Sequence, residues 1–229
     1  MVRLILTLSG CHASPTLQSI EARPPGDAPL PLVVMVHGYG DRPESMLELV
    51  EACHLPARVV APRGPELHPS GQGYSWYRIT LSADGVERDA AAVDAAADQL
   101  AEWIATQGPA EKVVLSGFSQ GGILSYTVAV RHPDRIDAAV PVAGAVLPEL
   151  RAVTAPPGAP PIRALHGRVD PLLSAAEARQ GVEALRGRGW DAAITVFDGV
   201  AHQIPPEVHR ALCAALSDAI APAPTARAR

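Results

Sequence analysis

A chain of 229 residues with 48% hydrophobic side chains can bury a sizeable core, as one α/β domain or two small ones. Aromatic residues make up only 4%, so aliphatic side chains must fill that core. The net charge of −5 and the scattered Lys and Arg exclude a nucleic-acid footprint, and no apolar run has the length of a transmembrane helix.

The N-terminal stretch Met1-Val2-Arg3-Leu4-Ile5-Leu6-Thr7-Leu8 reads as an edge strand over Val2 to Leu8 of a cytoplasmic protein. The alternative is a short export signal, in which Leu8-Ser9-Gly10-Cys11 resembles a lipoprotein processing site and the mature chain is lipid-anchored or exported. A second short strand is expected within Thr16 to Ala22, followed by a Pro/Gly-rich turn. Leu32-Val33-Val34-Met35-Val36 is continuously apolar and suits a parallel strand buried on both faces. It runs into His37-Gly38-Tyr39-Gly40-Asp41, and a helix is predicted from Pro43 to Ala52 with Asp41 as its cap. Arg58 to Ala61 is a strand that stops at Pro62. From Pro62 to about Ala83 the chain is rich in Gly, Pro and Ser, yet it holds Tyr74, Trp76 and Tyr77; an ordered loop over a site is expected.

An alanine-rich amphipathic helix is predicted from Gly85 to Thr106, ended by Gly108-Pro109. Val113-Val114-Leu115 leads into Gly117-Phe118-Ser119-Gln120-Gly121-Gly122 and then a helix-like run through Arg131. Ala138 to Gly144 and Ile162 to Gly167 are strands separated by the proline-rich stretch Pro156 to Pro161. The connection from Val142 to Pro161 is too short and too broken by proline for a mobile amphipathic lid. Ser174 is the expected cap of a helix to Arg186, with Glu177 completing a capping box; Ala192 to Phe197 is the last strand and Pro205 to Ile220 the last helix. Strands alternate with helices from Leu32 onward, which predicts one α/β domain with a mostly parallel sheet, helices on both faces, and a frayed tail over 221–229.

The three cysteines, Cys11, Cys53 and Cys213, are odd in number and distant in sequence, with no C-x-x-C pair. That argues against a zinc or redox motif and makes Cys53 and Cys213 buried free thiols by default.

The chemistry sits in the glycine-flanked serine. Strand, tight turn and helix around G-x-S-x-G are the setting of a nucleophile elbow, whose close backbone approach leaves no room for side chains at Gly117 and Gly121. Two further residues fall at predicted strand ends, in the order Ser119, Asp170, His202. Ligands of an open parallel sheet bind beyond those ends, and nucleophile–acid–base is the chain order of an α/β-hydrolase. A serine hydroxyl needs a base, histidine is the side-chain type whose ordinary pKa lies near neutrality, and a carboxylate fixes its tautomer. Backbone N–H groups of Gln120 and Tyr39 are the expected oxyanion donors.

These motifs, together with Gly73-Tyr74-Ser75-Trp76-Tyr77, His166-Gly167-Arg168-Val169-Asp170-Pro171 and Gly199-Val200-Ala201-His202, resemble the phospholipase/carboxylesterase family of α/β-hydrolases, which includes acyl-protein thioesterases and small bacterial carboxylesterases. The resemblance spans roughly residues 30 to 220 and implies hydrolysis of small-molecule carboxylic esters or thioesters by Ser119, Asp170 and His202, without metal or organic cofactor. It implies Tyr39 and Gln120 as the oxyanion hole and Trp76 in the acyl pocket, where Tyr74 and Tyr77 are expected to pack as well. His37 and His166, in His-Gly turns, are read as structural. The family pattern has Asp two residues after the tryptophan; here Arg78 stands there, which bears on substrate charge preference. A lidless site predicts short to medium acyl groups and no interfacial activation. A serine peptidase on the same fold and a non-catalytic binding protein are the competing readings, and the oligomeric state, monomer or dimer, is open.

Overall fold

The computed structural model describes residues 17–24, 29–82 and 85–222. Eleven strands and five α-helices follow one another as β1 (Ser19–Ala22), β2 (Leu32–Val36), α1 (Pro43–Glu51), β3 (Arg58–Pro62), β4 (Glu66–Leu67), β5 (Tyr74–Ser75), β6 (Ile79–Ser82), β7 (Gly85–Arg88), α2 (Ala90–Ala105), β8 (Val113–Phe118), α3 (Gln120–Arg131), β9 (Ala138–Val142), β10 (Ile162–Gly167), α4 (Ala175–Gly187), β11 (Ala192–Phe197) and α5 (Pro206–Ile220). Seven strands form the central sheet in the order β1-β3-β2-β8-β9-β10-β11, parallel except for β1, which pairs antiparallel with β3. This is the α/β-hydrolase fold. The proposed Val2–Leu8 strand and the tail beyond Pro222 lie outside the described residues.

The apolar run of β2 shows why a parallel strand is hydrophobic throughout. Leu32, Val34 and Val36 enter the core under α2, α3 and α4, while Val33 and Met35 enter the core under α1 and α5. All five are buried, so period-two alternation carries the two faces to two different hydrophobic layers.

Three local expectations are corrected. The predicted helix from Gly85 begins only at Ala90. Asp89 is its N-cap, accepting a hydrogen bond from Ala91 N at 3.1 Å, and Gly85–Arg88 instead closes a hairpin with β6. Asp41 does not cap α1; Arg42 holds the cap position without a side-chain bond, and Asp41 takes the Ser45 hydroxyl at 2.7 Å. Ser174 does cap α4, through Ala176 N at 3.2 Å. Between β9 and β10 stands only a short 3-10 turn, Pro148–Ala152, pinned by buried Leu150.

The third correction concerns the thiols: Cys53 and Cys213 form a disulfide. Sequence distance misled here because α1 and α5 pack on the same face of the sheet, bringing Cα atoms 160 residues apart to within 5.1 Å. His209 lies alongside, its Nε2 donating to Leu49 O at 2.7 Å and standing 3.6 Å from Cys213 Sγ. A cross-link closing so long a loop restricts the unfolded chain, so reduction is expected to cost about 2–4 kcal/mol, or about 5–15 °C in Tm. Thermal unfolding with and without dithiothreitol reads this directly; coincident curves would contradict it.

Candidate active site

Strand β8 ends at Phe118 and α3 begins at Gln120, leaving Ser119 alone at the bend with φ 57° and ψ −112°. A serine in that region is strained and persists only when its surroundings fix it. Ser119 N donates to Val142 O at 3.0 Å on one side, and Ile123 N donates to Ser119 O at 3.0 Å on the other. The approach is close enough that a Cβ at Gly117 would meet Val36 O at 2.6 Å, and one at Gly121 would meet the same oxygen at 2.0 Å.

His202 and Asp170 follow β11 and β10 respectively, and those two loops are tied together. Arg168 N donates to Phe197 O at 2.9 Å and Val169 N to Val200 O at 3.0 Å. The result is a continuous chain: Ser119 Oγ lies 2.9 Å from His202 Nε2, and His202 Nδ1 lies 2.7 Å from Asp170 Oδ2. A carboxylate only accepts, so Nδ1 carries the proton and Nε2 is left to accept from the serine. The Phe118 ring, 4.8 Å from the imidazole centroid, braces its face.

Asp170 is buried, which by itself would raise its pKa. Hydrogen bonds from His202 and from Leu173 N and Leu172 N, both at 2.9 Å, outweigh that and hold it below the usual carboxylate value. It therefore stays ionised at neutral pH. His166 is buried and structural in position: its Nε2 donates to Leu173 O at 2.7 Å, fastening the turn that presents Asp170.

The two proposed oxyanion donors face the same cavity as Ser119. Neither Tyr39 N–H nor Gln120 N–H has a backbone acceptor among the described residues. The Gln120 side chain explains why glutamine suits the position after the serine. Its Oε1 accepts from Trp76 N at 3.1 Å and its Nε2 donates to Tyr77 O at 2.8 Å, so the elbow holds the aromatic loop in place.

The aromatic loop itself departs from expectation. Tyr77 lines the cavity, but Trp76 and Tyr74 do not. Trp76 lies beneath the site, buried, with Nε1 donating to His37 O at 3.1 Å. Tyr74 stacks under the Arg63 guanidinium, 4.7 Å away, and its backbone fastens the turn after His37: Gly40 N donates to Tyr74 O and Tyr74 N to Asp41 O, both at 2.8 Å. Both aromatics support the wall instead of forming it. Arg78 is 93% exposed and pairs with Glu66 at 3.5 Å, outside the cavity.

The cavity of about 250 Å³ is walled by Ile79, Phe118, Ile123, Leu172 and Leu173, with Arg88 at one side. Sequence reading missed these. Ile123 was findable as the residue one helical turn past the nucleophile, and Leu172-Leu173 as the pair following Asp170-Pro171; Arg88 had no local signal. A larger groove of about 530 Å³ runs between α5 and β9–β11, but no triad residue reaches it.

His37, immediately after β2, is fully buried. Its Nδ1 donates to Gly38 O at 2.7 Å and its Nε2 accepts from Gly64 N at 2.9 Å. Desolvation holds its pKa below the ordinary value, with the Gly38 bond and Asp41 opposing. The folded state then binds fewer protons than the unfolded one below about pH 6.5, so this contribution is full above that value and lost as pH falls. One proton corresponds to a slope of at most about 1.4 kcal/mol per pH unit. Wild type minus His37→Gln, measured as unfolding free energy from pH 7 to 5, should show stability falling with pH in wild type and a shallower fall in the variant. Parallel slopes would refute the assignment. Asp170 acts in a separate window: its contribution is present above about pH 4, the ordinary carboxylate range, and is lost only as pH falls through its lower folded value.

The chain is similar to known esterases and thioesterases. The esterase YpfH of Escherichia coli (strain K12) is 30% identical over 185 residues, covering 76% of each chain. Acyl-protein thioesterase 1 homolog 1 of Dictyostelium discoideum is 24% identical over 193 residues, covering 76% of this chain and 84% of that protein. Among solved structures, esterase PE8 superposes with a TM-score of 0.76 at 24% identity, covering 89% of this chain and 99% of that one, a likeness of fold. Residues 18–219 match phospholipase/carboxylesterase as a family, nearly the whole described chain, and the protein belongs to that family.

Proposed function

We propose that the protein hydrolyses small carboxylic esters or acyl thioesters through an acyl-enzyme on Ser119. The observation that carries this is the unbroken hydrogen-bond chain from Ser119 through His202 to ionised Asp170, opening into an apolar cavity. His202 Nε2 takes the serine proton as Oγ attacks the acyl carbon. The developing oxyanion meets Tyr39 N–H and Gln120 N–H, which need not reorganise to receive it. His202 then returns the proton to the departing alcohol or thiol, and water repeats the sequence to free the acid. A cavity of about 250 Å³ suits short acyl chains, being at the small end for ligand sites.

No helix among the described residues is long and apolar enough to cross a membrane. The Cys53–Cys213 disulfide favours an oxidising compartment, where such bridges persist, and so supports the exported reading over the cytoplasmic one.

A fluorophosphonate probe, followed by paired esters and anilides of one acyl group, tests the function. Labelling at Ser119 with ester turnover far above anilide turnover is expected. Failure to label would remove the catalytic reading, and comparable anilide cleavage would replace the esterase with a peptidase.

A further inference from the structure

The cavity around Ser119 has one cationic wall. Arg88 ends β7 and pairs in register with Ile79, and both line the cavity. No carboxylate among the described residues forms an ion pair with Arg88. Tyr77 lines the same cavity, is 2% exposed, and its buried hydroxyl has no hydrogen-bond partner among the described residues. Buried phenols are normally satisfied, so an orphan one lining a ligand cavity points to a group that arrives with the ligand. Burial raises the pKa of that phenol, and the Arg88 charge opposes the rise.

Among the described residues the cavity has one carboxylate, Asp41, and it is already engaged. It accepts the Ser45 hydroxyl at 2.7 Å and stands on the oxyanion loop two residues beyond Tyr39. Away from Ser119, His202 and the two proposed oxyanion donors, the described wall is apolar, formed by Ile79, Phe118, Ile123, Leu172 and Leu173. A planar guanidinium and one hydroxyl match a carboxylate, which can take the fork on one edge and the phenol on a remaining lone pair.

We infer that Arg88 and Tyr77 form a carboxylate subsite, and that the preferred substrates are short esters or thioesters carrying a free carboxylate a few bonds from the scissile carbonyl. The inference rests on the serine-esterase reading and narrows it from short acyl esters to anionic ones. Arg88 and Tyr77 select substrate; the triad does the chemistry.

The test is the ratio of kcat/KM for anionic over neutral esters. Monoethyl esters of glutaric, adipic and suberic acids place the carboxylate on the acyl side, acetate esters of the corresponding ω-hydroxy acids place it on the alcohol side, and ethyl esters of monocarboxylic acids of equal heavy-atom count are the neutral standards. In wild type at least one anionic series should exceed its neutral standard by about tenfold or more, and which one does identifies the side. Arg88→Met should bring that ratio near one, Arg88→Lys should keep part of it, and Tyr77→Phe should lower it severalfold. Turnover of neutral esters with no anionic preference in wild type, or a ratio unmoved by Arg88→Met, would overturn the subsite and leave the esterase standing. No turnover of any ester would remove both.

Discussion

Ser119→Ala is expected to lower kcat for ester hydrolysis by about 10⁴–10⁶-fold, and His202→Ala by nearly as much. The reason is that the two act as one unit: without the base the hydroxyl is a weak nucleophile, and without the hydroxyl the base has no proton to move. Ser119 Oγ makes one side-chain bond, to His202 Nε2 at 2.9 Å, and that bond does not hold the elbow; the backbone bonds to Val142 and Ile123 do. The serine variant should therefore keep its Tm within a few degrees while losing activity. Combining both substitutions should add little further loss. Either single variant retaining kcat within tenfold of wild type, at matched folding, would eliminate the assignment.

Gly121→Ala is expected to produce a large structural effect at the site from a single methyl group. Two principles pull in opposite directions. In a helix, alanine is preferred to glycine by about 1 kcal/mol. Here the new Cβ would lie 2.0 Å from Val36 O and 2.7 Å from Val36 C, both backbone atoms of a buried strand that cannot swing aside. Overpacking of this kind costs typically about 1–3 kcal/mol and at times more, so the steric effect wins. Relief requires α3 to move off β2, which carries Ser119 and the Gln120 N–H with it. Loss of stability and loss of kcat should therefore appear together. Gly187→Ala, at the end of α4 with nothing within 4 Å of the added Cβ, is the control and should be neutral or stabilising. A Gly121→Ala protein with unchanged Tm and kcat would disprove the close-approach argument.

The peptide order of Ser119, Asp170 and His202 at strand ends made the candidate site legible because the fold is periodic. Each residue followed an apolar run legible as a parallel strand, and a parallel sheet aligns the carboxyl ends of its strands on one edge. The same local logic placed β2, β10 and β11 at their observed bounds, whereas the structural reading of His37 and His166 came from the His-Gly turns of the family resemblance. It also put Gly117 and Gly121 where only glycine fits.

What sequence could not settle were contacts between segments that share no local pattern. The Cys53–Cys213 bridge needed two helices, far apart in the chain, laid on one face of the sheet. Gly85–Arg88 carried residues compatible with a helix, and its pairing with Ile79–Ser82 made it a strand, because backbone hydrogen bonds to a neighbour override a weak local propensity. That pairing decided the site's character. It sets Arg88, not Arg78, at the wall of the cavity that Tyr77 also lines, while Trp76 and Tyr74 turn under the loop to bond His37 O and the Gly40–Asp41 backbone. Three aromatics spaced within four residues look equivalent in sequence; the direction each side chain takes is fixed by which backbone its neighbours reach, and only the folded chain determines that.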